Sequence, residues 1–127
     1  MSAAAVLKGA VADALAPLGV AVLAAPPGRA LFPHLILERP VLADWSARGC
    51  EGREGRIAVQ VHAQGSTPDA AEAMLAEVEA AVLALPTQLT GDWRLVALSL
   101  TRSRMGPGGE GRWIGLAEFR VRMVRGI

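Results

Sequence analysis

The sequence predicts an α+β domain, in which an N-terminal helix and a central helix pack on an antiparallel sheet of about four strands. This prediction rests on two observations about the spacing of apolar residues. Two segments have apolar residues at helical spacing, and each is followed by a pair of segments in which apolar and polar residues alternate as in half-buried strands. The element order is therefore helix, hairpin, helix, hairpin. The 127 residues have the length of a single domain, residues 1–127.

The first helix begins after Ser2, a residue type that caps helix N-termini with its hydroxyl. Pro17 and Gly19 end the pattern. The apolar positions at helical spacing are Val6, Leu7, Ala10, Val11, Ala14 and Leu15. Residues 20–23 fit either a short strand or an extended arm. Residues 25–30 contain two prolines and a glycine, which predicts a turn or loop.

The first hairpin is predicted from a long strand over residues 34–46 and a second strand over residues 57–63. Pro40 requires an edge position or a bulge in the first strand, because proline cannot donate to a ladder. Residues 47–55 between them combine three glycines with charged side chains and no apolar face, which predicts a mobile loop. We expect this loop to become ordered only against another molecule, because it has no apolar surface to offset the ordering entropy.

The central helix has the clearest boundaries. Thr67 is the predicted N-cap, Pro68 the first helical residue, and Pro86 ends the helix. One face is apolar and is expected to pack on the sheet; it contains Ala71, Met74, Leu75, Val78, Val82 and Leu85. The opposite face carries acids, among them Glu72 and Glu79, and no basic residue. It is either solvated surface or a contact for an arginine-rich partner.

The second hairpin is predicted from strands over residues 92–104 and 112–125, joined by a glycine-rich loop over residues 105–111. In the last strand one face is apolar, and the other contains Glu118, Arg120 and Arg122. Residues 94–127 have a net charge of +5, whereas residues 1–93 have a net charge of −4. Such polarity suits nucleic-acid binding, and it equally suits subunits whose basic surface meets a neighbour's acidic surface.

The residue types in this chain predict neither catalysis nor metal binding. His34 and His62 fall on paired strands and could approach each other beside Glu38 or Asp44, but neither belongs to a metal-binding motif. The single cysteine, Cys50, excludes an intrachain disulfide and favours a reducing compartment. The glycine-rich loop lacks the lysine and hydroxyl residues of a phosphate cradle. We expect no enzyme activity and no cofactor.

Membrane insertion is not expected either. The longest uncharged stretch, residues 14–28, is interrupted by prolines and is shorter than the about 20 residues that a bilayer requires. The N-terminus is a poor signal peptide, because its basic region is a single lysine and an aspartate lies within the apolar part.

The arginines of the C-terminal third could line one basic strip. They are Arg94, Arg102, Arg104, Arg112, Arg120, Arg122 and Arg125. Tyrosine is absent and aromatic residues make up 4% of the chain, so a platform for stacking unpaired bases is not predicted. Contact with DNA phosphates needs charge alone. A small nucleic-acid-binding regulator that uses this arginine-rich hairpin is therefore the alternative function.

Short motifs lie near the ends of the predicted strands. They are ALFPHLI at residues 30–36, DWS at 44–46, VQVH at 59–62, DWRLV at 92–96, WIG at 113–115 and FRV at 119–121. Together with the capped central helix, they resemble the tail-terminator (tail-completion) family of long-tailed phages and of phage-like particles such as gene transfer agents. His34 and His62 depart from the aromatic residues more usual there, and Glu110 replaces an Asp-Gly type of turn.

The resemblance implies a structural virion protein: a homohexameric ring that caps the tail tube, ends tail polymerisation and joins the tail to the head connector or stopper protein. It implies assembly in the bacterial cytoplasm, a place at the head–tail junction of the particle, and double-stranded DNA that passes through the lumen with non-specific contact. A ring needs two unlike patches on each subunit. We expect the subunit or tube interfaces at Arg48, Glu51, Arg53, Glu54, Glu72, Glu79, Arg104, Arg112, Arg120 and Arg122.

Overall fold

Two helices cover one face of a six-stranded mixed sheet in the computed structural model, which describes residues 1–29 and 31–126. The α+β class is confirmed, but the expected number of about four strands was too small. The helices are α1 (Ala3–Leu15) and α2 (Asp69–Leu83). The strands are β1 (Ala21–Leu23), β2 (His34–Leu37), β3 (Val41–Asp44), β4 (Glu51–Gln64), β5 (Arg94–Pro107) and β6 (Arg112–Arg125).

The long pairing of β4 with β6 forms the centre of the sheet. It is antiparallel and runs without interruption from Glu51 opposite Arg125 to Gln64 opposite Arg112. β5 pairs with the other side of β6, while β2 and β3 both pair with the other side of β4. Because side chains alternate along a strand, the core-facing residues of β4 and β6 form one continuous apolar surface, on which the helices pack. Its fully buried members include Ile57, Val59, Val61, Phe119, Val121 and Met123.

The N-terminal helix is confirmed. The hydroxyl of Ser2 accepts a hydrogen bond from the backbone N–H of Ala5 at 3.1 Å, as an N-cap does. Leu7, Val11 and Leu15 are fully buried against the sheet and α2. After it, residues 20–23 contain the strand β1, and not an extended arm; β1 pairs in parallel with β2. Of the predicted turn over residues 25–30, Ala30 lies outside the described residues.

The single strand predicted over residues 34–46 is wrong. The structure has two short strands there, β2 and β3, separated by residues 38–40. Pro40 is the reason for the break, because it has no N–H for the ladder. The predicted pairing with the following strand is confirmed, since β2 and β3 are both antiparallel to β4.

The mobile loop predicted over residues 47–55 is also wrong. Only residues 47–50 turn, and Ala47 and Cys50 exchange two backbone hydrogen bonds of 2.9 Å there; from Glu51 onward the chain belongs to β4. Two glycines of this segment serve close backbone packing. A Cβ atom at Gly55 would overlap the carbonyl oxygen of Val41, and one at Gly52 would lie 2.5 Å from the carbonyl oxygen of Trp45.

The central helix and the second hairpin follow the prediction with shifted ends. Pro68 occupies the N-cap position of α2, one residue later than expected, and the Thr67 hydroxyl accepts a 3.4 Å hydrogen bond from the Asp69 N–H. The predicted core face of α2 is confirmed: Ala71, Leu75, Val78, Val82 and Leu85 are buried. β5 extends to Pro107, which shortens the expected glycine-rich loop to residues 108–111.

Replacement of Gly55 by alanine is expected to lower the free energy of unfolding by about 1–3 kcal/mol, because the added methyl overlaps the backbone of β3. Urea denaturation of the purified protein measures this change. Gly106→Ala is the matched control: Gly106 also lies in a long strand, but a Cβ atom there meets nothing within 4 Å. Its expected change is within about 0.5 kcal/mol. Equal destabilisation by both substitutions would contradict this account of Gly55.

Candidate functional site

The sheet face that carries no helix is rich in arginine. Cross-strand partners share a face, and the register places one set of charged side chains of β4, β5 and β6 opposite the apolar core. The basic members are Arg56, Arg94, Arg102, Arg104, Arg112, Arg120 and Arg122, and the acidic members are Glu54 and Glu118. We call this surface the arginine face. These residues have a net charge of +5, to which β5 contributes three arginines and no acid.

Few of these arginines are neutralised within the subunit. Arg122 pairs with Glu54 at 3.1 Å, and Arg56 lies 4.0 Å from Glu118. Arg94, Arg102, Arg104 and Arg120 have no ion pair with any described residue. Arg120 is also the direct cross-strand neighbour of Arg56.

Like charges in directly opposite positions destabilise a sheet, so the proximity of Arg56 and Arg120 does not stabilise the folded subunit. A surface of this kind attracts polyanions and acidic protein surfaces.

Two aromatic side chains at the margins of the arginine face hold arginines by cation–π contact. The Arg122 guanidinium lies 4.8 Å from the centre of the Trp45 ring, and that of Arg112 lies 5.0 Å from the Phe32 ring. Trp45 remains 37% exposed. Neither aromatic, nor Arg56, was predicted at this surface. The sequence has no signal for Trp45 there, because its exposure depends on the position of β3 at an open edge of the sheet.

Glu51 and Arg53 lie in a separate cluster on the helix-bearing side of the sheet. Arg53 pairs with Glu51 at 3.1 Å and with Asp44 at 3.3 Å, while Arg125 pairs with Glu51 at 2.8 Å. Both guanidinium groups also contact the buried Trp93 ring, at 5.9 Å and 4.6 Å from its centre. We call Asp44, Glu51, Arg53, Trp93 and Arg125 the Trp93 cluster. The expectation that the contacts of Glu51, Arg53 and Glu54 must come from outside the subunit is therefore wrong, because all three bind residues of their own chain.

The Trp93 cluster also affects two carboxyl groups. The hydrogen bond from Arg125 lowers the pKa of the Glu51 carboxyl, with a further contribution from the Arg53 charge. The Ser46 hydroxyl, 2.6 Å away, lowers the pKa of Asp44. Both carboxylates are therefore charged acceptors at neutral pH, which matches their role in holding the arginines.

The ten expected interface residues do not form one patch. Glu54, Arg104, Arg112, Arg120 and Arg122 lie on the arginine face, and Glu51 and Arg53 belong to the Trp93 cluster. Arg48 is exposed in the turn over residues 47–50. Glu72 is exposed on α2, on the other side of the sheet, and Glu79 of the same helix accepts a 2.7 Å hydrogen bond from Ser103. The acidic and basic surfaces thus lie on opposite sides of the domain.

His34 and His62 meet as expected. They are direct cross-strand partners, and their rings stack 4.7 Å apart with an angle of 9°. His34 donates through Nδ1 to the Leu31 carbonyl at 2.5 Å, and His62 donates through Nε2 to Gln60, whose amide donates to Glu38. Burial lowers the pKa of His62, and the neighbouring His34 adds to this effect. The lowered pKa favours the neutral form of His62, and the stacked rings join β2 to β4.

Residues 1–29 and 31–126 contain no group of three or more His, Cys, Asp or Glu side chains placed to hold a metal ion. No helix in the described part of the chain is long and apolar enough to cross a bilayer.

Comparison with known proteins identifies a family and related solved structures. The family model described as tail completion protein gp17 matches residues 3–124. A chain in a solved structure titled "Virion of native gene transfer agent (GTA) particle" has the same fold, with a TM-score of 0.69 and 23% sequence identity over 98% of this chain and 99% of that chain. No curated protein sequence matches significantly.

Arg53→Glu is expected to lower the free energy of unfolding by about 1 kcal/mol, because it removes two ion pairs and places a third acid beside Asp44 and Glu51. Arg48→Glu has the same change of charge five residues away, in an exposed turn, and is expected to change stability by less than about 0.5 kcal/mol. Urea or thermal unfolding measures the stability of both variants and of the unaltered protein. A stability loss in Arg48→Glu that equals the loss in Arg53→Glu would refute the local pairing as the cause.

Proposed function

Because the chain belongs to the tail completion protein gp17 family, we propose that it forms a homohexameric ring that caps the tail tube, ends tail polymerisation and joins the tail to the head connector or stopper protein. As a member of that family it is a structural protein of phage tails and not an enzyme. The observation that carries the proposal is the extent of the family match, which leaves only a few residues at either end.

The distribution of charge supports a ring. The arginine face and the acidic side of α2 lie on opposite sides of one sheet. In a ring every copy has the same orientation about the axis, so all arginine faces can point towards the axis and all acidic sides away from it.

The arginine face is the surface that we assign to the lumen. The helices already cover the other face of the sheet, so only the arginine face can approach a central passage closely. Double-stranded DNA carries one negative charge per about 1.7 Å of its axis, and arginine contacts to phosphate are independent of sequence. Arg102, Arg104 and Arg120, which have no acidic partner among the described residues, would touch passing DNA without selecting a site.

The long axis of the subunit provides two ends for two partners. The turn over residues 47–50 lies at one end of the β4–β6 ladder, and the hairpin tip over residues 108–111 lies at the other. Fourteen paired residues span about 46 Å, at roughly 3.3 Å for each residue. One end would face the last ring of tail tube and the other the head connector, so that a single ring separates the two structures.

Deletion of the gene is expected to give heads and tails that do not join, with tails of uncontrolled length, because nothing then caps the tube. Electron microscopy of the lysate measures tail length and attachment. Supply of the intact gene from a plasmid should restore both. Tails of normal length already attached to heads in the deletion strain would overturn the proposal.

Complementation with a chain carrying Arg102→Gln, Arg104→Gln and Arg120→Gln separates DNA binding from assembly. We expect joined particles with tails of normal length but DNA delivery lowered several-fold. Because each phosphate that a protein neutralises contributes about 0.9 to the salt dependence of duplex binding, the slope for the purified variant should be smaller by up to about 3. The matched control carries Lys8→Gln, Arg29→Gln and Arg39→Gln, which lie outside the strands of the arginine face, and should behave as the unaltered protein. Equal loss in both variants would refute a lumen assignment.

A further inference from the structure

β5 presents the longest unpaired strand edge in the described chain. It has 14 residues and pairs only with β6. Residues 87–89 cover its beginning, where the Leu95 N–H donates to the Thr87 carbonyl at 2.7 Å. Beyond that point no described strand lies against its outer side, and Val96 and Leu100 are 46% and 38% exposed. Soluble proteins usually protect such an edge, because unpaired N–H and C=O groups can pair with another chain.

The opposite margin of the same sheet is open as well. β3 pairs only with β4, on one of its two sides. Val41 in β3 is 57% exposed, and Trp45 directly after it is 37% exposed. The outer side of β1 belongs to this margin as well, since β1 pairs only with β2. The two margins of the sheet therefore differ in sequence and length. Two unlike edges on one sheet are the elements of a head-to-tail contact.

We propose that β5 of one copy pairs with β3 of the next copy, so that the sheet continues from subunit to subunit. This contact presupposes the ring proposed above and specifies its subunit interface. The strand directions support it: β3, β4, β6 and β5 are successively antiparallel, so β5 runs opposite to β3. In a ring every subunit has the same orientation along the axis, so β5 meets the neighbouring β3 in the antiparallel sense, which is the more stable pairing.

The side chains of the two edges match by face. Leu98 and Leu100 of β5 lie on the helix-bearing side, as does Leu42 of β3, whose cross-strand partner is Gly55. Ser99 of β5 and Ala43 of β3 lie on the arginine face and are small. An antiparallel junction therefore places apolar residues beside apolar ones on one side and small residues together on the other.

Charge favours a second copy as the occupant. β5 carries three arginines and no acid, whereas residues 38–46 carry two acids and one arginine. Of the two acids, Glu38 accepts a hydrogen bond from Gln60. Gln60 pairs with Leu116, the cross-strand partner of Arg104, so Glu38 lies on the same side of the sheet as the β5 arginines. A continued sheet would also cover β3 and the part of β5 that lies beside it in every copy once the ring closes.

Disulfide trapping tests this contact in assembled particles. The background is Cys50→Ser, which removes the single native thiol. Ala43→Cys is combined in turn with Ala97→Cys, Ser99→Cys and Arg102→Cys, all on the arginine face of β5, so that the scan covers the register. Within one subunit β4 and β6 separate the two positions by about 14 Å, at roughly 4.8 Å for each strand spacing. This exceeds the reach of a disulfide, about 7 Å between Cα atoms, so every disulfide formed joins two subunits.

After mild oxidation, at least one pair is expected to give a ladder of multimers up to six copies on a non-reducing gel, at least tenfold above its control. The control combines Ala43→Cys with Leu100→Cys, because Leu100 lies on the other face of β5. Particle yield in reducing medium shows that each variant folds and assembles.

The outcomes separate the two proposals. Rings visible by electron microscopy without any such ladder would overturn the β5–β3 contact and leave the ring intact. Disulfides to the tail tube protein instead would assign the edge to that partner and also overturn the contact. Particles that contain this protein but no ring of it would overturn the proposed function itself.

Discussion

The register of β4 against β6 is the constraint on which the rest of the molecule depends. Fourteen consecutive cross-strand pairs fix which residues face the helices and which face away. A slip of one residue would move Phe119 and Val121 to solvent and Arg120 and Arg122 into the core, so the buried apolar surface holds the register firmly. The other strands attach to one of these two, and the helices cover the face that the ladder makes apolar. The same register that buries the apolar residues of β4 and β6 places their charged residues on the arginine face.

Sequence periodicity was sufficient for the elements that obey it locally. β6 has its predicted bounds because apolar and charged residues alternate over residues 117–123, and α2 has its predicted core face because its apolar residues keep helical spacing. The failures have a common physical cause. Glu51, Arg53 and Glu54 look like loop residues in the sequence, yet partners as distant in the chain as Arg125 and Arg122 neutralise the two acids. Likewise Gly52 and Gly55 indicate flexibility locally, whereas the backbone of β3 and the turn after it requires them. Interactions over such separations leave no local pattern in the sequence.

The same distinction applies to the candidate site. The excess of arginine after residue 93 is visible in the sequence, and four of the expected interface residues do lie together on the arginine face (Arg104, Arg112, Arg120 and Arg122). Arg56 of β4 lies beside these arginines, and the acids of α2 lie on the opposite side of the sheet. Both placements depend on the order of the strands, which the sequence pattern does not give. The extent of the sheet edges depends on that order as well, since periodicity does not tell which strand lies at a margin.

A subunit of this design separates the interactions that keep it folded from those that we assign to assembly. The core, the ion pairs of the Trp93 cluster and the stacked histidine pair are formed within one chain. The unpaired arginines and the two sheet edges have no such partners among the described residues. A single edge contact between two free subunits is weak, since association must overcome the loss of translational and rotational freedom. The contact that closes a ring joins two ends that are already held together, and its effective concentration is correspondingly high. Weak edges therefore allow a stable separate monomer and a stable closed ring, and the end of a tail tube, by holding several copies side by side, would favour the ring.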